Sequence, residues 1–102
     1  MKNMKIKWIE SAKADVREIK AYIKKQSPKY AKVQVQRIFD QADKLKQFPF
    51  MGTVMPEYND ENSRYILLGA YRIIYFIASD KDIHIVRVWH TAKDFDPGKD
   101  LD

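Results

Sequence analysis

Three arginines, Arg64, Arg72 and Arg87, and one histidine, His90, are the residues best able to do chemistry in this 102-residue chain. Guanidinium groups gathered on a sheet face suit phosphate recognition or the stabilisation of a pentacovalent phosphoryl transition state. His90, beside Trp89, is placed to act as a general acid or base in RNA cleavage. Taken singly, each arginine has a plainer use as an ion-pair or snorkelling residue, and a histidine at a strand end is commonly structural. His84, inside the same strand, is read as structural. Tyr71, Tyr75 and Trp89 beside the arginines suit stacking on bases, or filling a small core.

Other chemistries find little support. With two histidines and no cysteines, no metal-ligand spacing occurs, and no disulfide is available. Only three glycines are present, and no phosphate-binding glycine loop or serine-nucleophile elbow, so no cofactor is expected. The formal net charge of +5 favours acidic partners, nucleic acid or polypeptide, although a solvated lysine surface would give the same excess. No signal-peptide core or membrane-length apolar run appears, so a cytoplasmic location without a membrane partner is expected.

These residues need elements to position them. Lys5 to Ile9 alternates polar and apolar and reads as a strand. Ser11 then offers an N-cap for a helix with Val16, Ile19 and Ile23 on one stripe and Lys13, Arg17, Lys20 and Lys24 on the other face. Ser27 caps a second helix with Pro28 at its first position. Ala31, Val35, Ile38, Ala42 and Leu45 form its apolar stripe, and Phe48-Pro49 ends it. So short a connection makes the helices an antiparallel hairpin. Phe50 to Ser63 reads as a loop. Strands follow at Arg64 to Leu68, Tyr71 to Ala78 and Ile83 to His90, joined by turns at Gly69-Ala70 and Ser79 to Asp82. The expected fold is α+β, in the order β-α-α-β-β-β, with a helical hairpin packed on an antiparallel sheet. Residues 1–94 make one domain, and 95–102 a polar C-terminal tail with a mobile end.

A turn centred on Asp80-Lys81 pairs Phe76 with Ile85, Ile74 with Arg87 and Arg72 with Trp89. One face then carries Arg72, Ile74, Phe76, Ile85, Arg87 and Trp89. The other, with Ile73, Tyr75, Ile77, His84, Val86 and Val88, is the expected core. A helical hairpin covers one face only. The second is expected to be a binding surface or covered by a partner, unless the loop or tail folds over it.

The residues resemble a known family. Ala14-Asp15-Val16 with Ile19, Tyr22 and Ile23, then Ser27-Pro28 and Ala31, is similar to the first helix and hairpin of ParE-type toxins. Leu45, Pro49, Gly52 and Pro56-Glu57 match that family's L-x-x-x-P-x-x-G-x-x-x-P-E stretch. Arg64-Tyr65-Ile66-Leu67, Tyr71-Arg72-Ile73-Ile74-Tyr75 and Val88-Trp89-His90-Thr91-Ala92-Lys93-Asp94 complete a resemblance to the RelE/ParE superfamily from Lys5 to Asp94. It implies the toxin of a type II, plasmid stabilisation-like toxin–antitoxin system, held inactive by a cognate antitoxin whose C-terminal segment wraps it. A dimer or a toxin–antitoxin hetero-oligomer is the expected assembly.

ParE-like members inhibit DNA gyrase, whereas RelE-like members cleave mRNA on the ribosome. Arg72 matches the RelE-like arginine, but Ser63 and Tyr65 stand where its paired lysines would be. Thr91 falls near its C-terminal arginine, and no C-terminal tyrosine is evident. Thr53 and Lys93 stand where ParE-like members often carry arginine, and lysine lacks the planar fork. Gyrase inhibition is therefore the first expectation. The alternatives are a ribosome-dependent mRNA endoribonuclease using Arg72, Arg87 and His90, and an inactive toxin fold that only binds its antitoxin. Whichever holds, Arg64, Arg72, Ile74, Phe76, Arg87, Trp89 and Lys93 are the expected target- or antitoxin-binding residues.

Overall fold

The structure, a computed structural model, describes residues 3–100. Its elements are β1 (Lys5–Trp8), α1 (Glu10–Lys24), α2 (Pro28–Asp43), a 3-10 turn (Lys44–Lys46), β2 (Thr53–Val54), β3 (Ser63–Leu68), β4 (Tyr71–Ile77), β5 (Asp82–His90) and α3 (Pro97–Asp100). The five strands form one sheet in the order β1-β5-β4-β3-β2. The α+β class and the hairpin packed on the sheet are as expected. The sheet is mixed, however, because β1 runs parallel to β5, which the intervening helices make possible.

Local chemistry sets the helix ends. Ser27 Oγ accepts the Tyr30 amide at 3.1 Å with Pro28 in the first turn, so α2 starts as its sequence dictates. Ser11 does not cap α1. The helix already begins at Glu10, and the Ser11 hydroxyl donates instead to the Val86 carbonyl at 2.9 Å. Inside the expected loop lies β2, with Thr53 opposite Tyr65 and Val54 opposite Arg64. Gly69, at φ +55°, makes the β3–β4 turn, a conformation that suits a residue without Cβ.

The β4–β5 register is half as expected. Arg72 pairs with Trp89 and Ile74 with Arg87, but Phe76 pairs with His84 and Tyr75 with Ile85. A bulge absorbs Val86 between the two stretches. With strict alternation, Ile83 and Ile85 would share a face with Arg87. The bulge lets Ile83, Ile85 and Val88 all face the helices, fully or almost fully buried. Burying an isoleucine contributes about 2 kcal/mol, more than the roughly 1 kcal/mol of a disturbed ladder hydrogen bond. Ile85 therefore belongs to the helix side, and His84 and Val86 to the other, the reverse of the expected assignment.

The main core joins Ala12, Val16, Ile38, Ala42 and Leu45 of the helical side to Ile66, Ile73, Tyr75, Ile83 and Ile85 of the sheet. The second sheet face is covered from within the chain. Met55 from the loop and Phe95 from the tail bury Ile74, with Tyr58, Tyr65, Val86 and Trp89 around them. Loop and tail thus do the covering that a partner was expected to do.

Candidate functional site

β1 ends opposite Ile85, so the rest of β5 has no neighbour on that edge. The start of α1 takes the place of a strand. The Ile9 amide reaches the Ile85 carbonyl at 3.0 Å, and Ser11 takes the Val86 carbonyl. Asp15 Oδ2 accepts the Val88 amide at 2.9 Å. An exposed edge amide is thereby satisfied by a carboxylate.

The same carboxylate holds Arg87 in a fork, with Nε 2.7 Å from Oδ2 and a terminal nitrogen 2.8 Å from Oδ1. Arg87 also donates to the Asp100 carbonyl, and its guanidinium lies 4.9 Å from the Trp89 ring centre. Hydrogen bonding to Asp15 raises the Arg87 pKa against the opposing effect of burial. The pair fixes α1 to β5 across 72 residues of sequence.

Beside this pair opens a cleft of about 360 Å³ between α1, the start of β4 and the end of β5. Asp15, Glu18, Ile19 and Tyr22 line it from α1, with Tyr71, the Arg87–His90 stretch and Lys93 opposite. His90 Nδ1 accepts the Ala92 amide at 3.0 Å, which leaves the proton of the neutral ring on Nε2. The ring stands edge-on to Tyr71 at 5.2 Å. Trp89 donates to the Lys93 carbonyl at 3.0 Å, and the Lys93 ammonium lies 5.9 Å from its ring. Burial pushes the Tyr71 phenol above its ordinary range.

The remaining expected residues lie elsewhere. Arg72 pairs with Glu57 at 3.2 Å, and stands over the rings of Tyr65 and Phe95 on the face away from the helical hairpin. Arg64 points to the helix side, sharing a register position with Tyr75. There it donates to the carbonyls of Glu61, Phe50 and Gly52. The arginines are therefore not gathered on one sheet face, and each is held by its own internal partners. Arg87, Trp89, His90 and Lys93 meet at the cleft; Arg64 and Arg72 do not. Ile74 is buried beneath Met55 and Phe95, whereas Phe76 is 37% exposed.

Asp15, Glu18 and Tyr22 were not among the expected site residues. Asp15 carried a readable signal. It is a carboxylate on the apolar stripe of α1, between Ala12 and Val16, and a charge there demands a partner.

Comparison with known proteins places this geometry. A model of the ParE toxin of the type II toxin-antitoxin system parDE matches residues 6–95. The chain belongs to the ParE toxin family. It is the toxin component of a type II toxin–antitoxin system, and its partner is a cognate antitoxin. Among solved structures, a chain of the chromosomal ParDE TA system from P. aeruginosa is 27% identical. The match covers 85% of this chain and 95% of that one, with a TM-score of 0.70. No curated protein matches. In this ParE-family chain the matched region ends at Phe95, the residue that closes the second apolar cluster. Among the described residues, no group of histidines and carboxylates is arranged to hold a metal ion, and no helix is long and apolar enough to cross a membrane.

Proposed function

We propose that this toxin inhibits DNA gyrase in the cytoplasm by binding it, and breaks no covalent bond itself. The observation that carries this reading is that the arginines a ribonuclease would use are each already held by a carboxylate. Arg72 is held by Glu57 and Arg87 by Asp15, although both stand on the same sheet face. His90 therefore shares its cleft with a neutralised Arg87 and with Lys93, whereas a phosphoryl transition state needs several cations aimed at it. Ser63 and Tyr65, in place of the ribonuclease lysines, point the same way.

The cognate antitoxin neutralises the protein by seating its C-terminal segment along the end of β5. Trp89, His90 and Lys93 offer apolar surface and positive charge together there, and Phe76 supplies an exposed ring on the same sheet. A second reading, mRNA cleavage, draws on the shared cleft of Arg87 and His90.

Two assays separate these readings: supercoiling by purified gyrase, and mRNA integrity in a translating extract, each with the full chain. Inhibited supercoiling with intact mRNA is the expected outcome. Ribosome-dependent cleavage that disappears in His90→Ala or Arg72→Ala would overturn it. Lack of effect in both assays, with the antitoxin still bound, would leave a toxin fold without toxicity.

A further inference from the structure

The positive charge is unevenly distributed and unevenly neutralised. Residues 13–37 carry eight lysines and arginines against two carboxylates, Asp15 and Glu18, an excess larger than the +5 of the whole chain. All eight cations are exposed, and Asp15 is buried in its bond to Arg87. Of the eight, only Arg17 has an ion-pair partner among the described residues, Glu10 at 3.0 Å. The sheet arginines contrast sharply, since Arg64, Arg72 and Arg87 are all held by internal acceptors.

The cations lie on both helices, with Lys25 at the C-cap of α1. Lys13, Arg17, Lys20 and Lys24 recur along α1 at spacings of four, three and four, on its solvent side. Lys29, Lys32 and Arg37 are exposed on α2, away from its buried Ala31, Gln34 and Ile38. Along α1 these spacings are about 4.5–6 Å, close to the distance between successive phosphates on a strand. Packed helices lie about 8–10 Å apart, so the cations of α1 and α2 form one patch about two helices wide. Like charges three and four residues apart weaken a helix, and among the described residues only the Arg17–Glu10 pair relieves them. Exposed Tyr22 and Tyr30, at the joined ends of the helices, add hydroxyl donors of the kind that bind phosphate oxygens.

We propose that the outer face of the α1–α2 hairpin binds the phosphate backbone of duplex DNA without sequence preference. A patch two helices wide can reach the phosphates of two strands, whereas a single strand would need a narrower track. The face shares only Tyr22 with the Arg87–Lys93 cleft, so the proposal stands whether or not gyrase is the target.

Binding of a random-sequence DNA duplex to the full chain, followed by fluorescence anisotropy over a salt series, tests this. With about five phosphates engaged, affinity falls roughly 500-fold between about 50 and 200 mM salt. Lys20→Gln/Lys24→Gln/Lys29→Gln/Lys32→Gln lowers affinity at least about 100-fold at low salt. A control of equal charge change, Lys5→Gln/Lys7→Gln/Lys81→Gln/Lys99→Gln, loses less than about tenfold. Both sets change exposed positions, and thermal melting confirms their folding. The double variant Lys20→Gln/Lys24→Gln gives a milder form of the same comparison. Equal losses in both sets would reduce the effect to net charge and overturn the proposal. So would tighter binding of an RNA duplex, a single strand or an acidic peptide than of the DNA.

Discussion

The Asp15 carboxylate accepts hydrogen bonds from both the Arg87 guanidinium and the Val88 amide, so one side chain of α1 closes the open edge of β5 and neutralises its arginine. Because the groups are largely buried, removing one partner strands the other. Asp15→Ala leaves a buried guanidinium and an unpaired amide, and is expected to cost about 3 kcal/mol. Arg87→Ala leaves Asp15 its amide bond and costs less, about 2 kcal/mol. Chemical denaturation of both single variants and the double variant measures the coupling. Strict additivity would show that the pair does not act as a unit.

Gly52 is fixed by space. A Cβ there would sit 2.5 Å from the Tyr75 hydroxyl and 2.7 Å from the Tyr65 carbonyl. The second neighbour is backbone within β3, which cannot turn aside. Gly52→Ala is expected to destabilise the protein by about 2 kcal/mol through overpacking and the displaced Tyr75 hydrogen bonds. A denaturation midpoint equal to the parent's would refute this.

Periodicity made the two helices and the three long strands legible, and Ser27-Pro28 marked the start of α2 to the residue. The misses have physical causes. Thr53–Val54 is too short for alternation to show between Gly52 and Pro56. The bulge at Val86 was hidden because β5 is apolar at Ile83, Ile85, Val86 and Val88, so either face reads as a core. Ser11 satisfies a strand carbonyl 75 residues away, a partner that local capping rules cannot see. At the site, Arg87, Trp89, His90 and Lys93 stood out by type. That Arg64 would face the helices, and that Glu57 would take up Arg72, depended on tertiary contacts.

Tyr75 links the loop to the core, since its hydroxyl donates to the Pro49 carbonyl at 2.7 Å and accepts the Gly52 amide at 3.1 Å. Burial is the largest influence on its phenol and raises the pKa, against the Gly52 amide and the Arg64 charge, which lower it. Tyr71 is raised in the same direction. With a folded pKa above the unfolded one, the native state holds its phenolic proton more tightly. That contribution is fully present below the unfolded phenol's value, about 10, and is lost as pH rises through the higher folded value. Stability should therefore fall with pH in the strongly alkaline range. Tyr75→Phe should cost about 2 kcal/mol at neutral pH, from two lost hydrogen bonds, and show a shallower alkaline decline. Denaturation curves across the alkaline range check both; an unchanged slope would remove Tyr75 from the account.

Phe95 is the one large apolar residue of the tail among the described residues, and it is 7% exposed. Its ring packs edge-on against Trp89 at 5.3 Å and Tyr58 at 6.5 Å, and the Arg72 guanidinium lies 5.8 Å from its centre. Removing it uncovers the Met55–Ile74 cluster, and leaves the Asp100 carbonyl bond to Arg87 as the tail's remaining anchor on the sheet. Phe95→Ala is expected to destabilise by about 3 kcal/mol and to increase binding of a dye specific for exposed apolar surface. Phe95→Leu, which keeps most of the volume, should lose less than half as much. The main core beneath α1 and α2 shares no residue with this cluster, so hydrogen exchange in β1 and α2 should remain protected while that of residues 91–100 accelerates. Uniform loss of protection across the chain would show instead that the second cluster is part of one cooperative core.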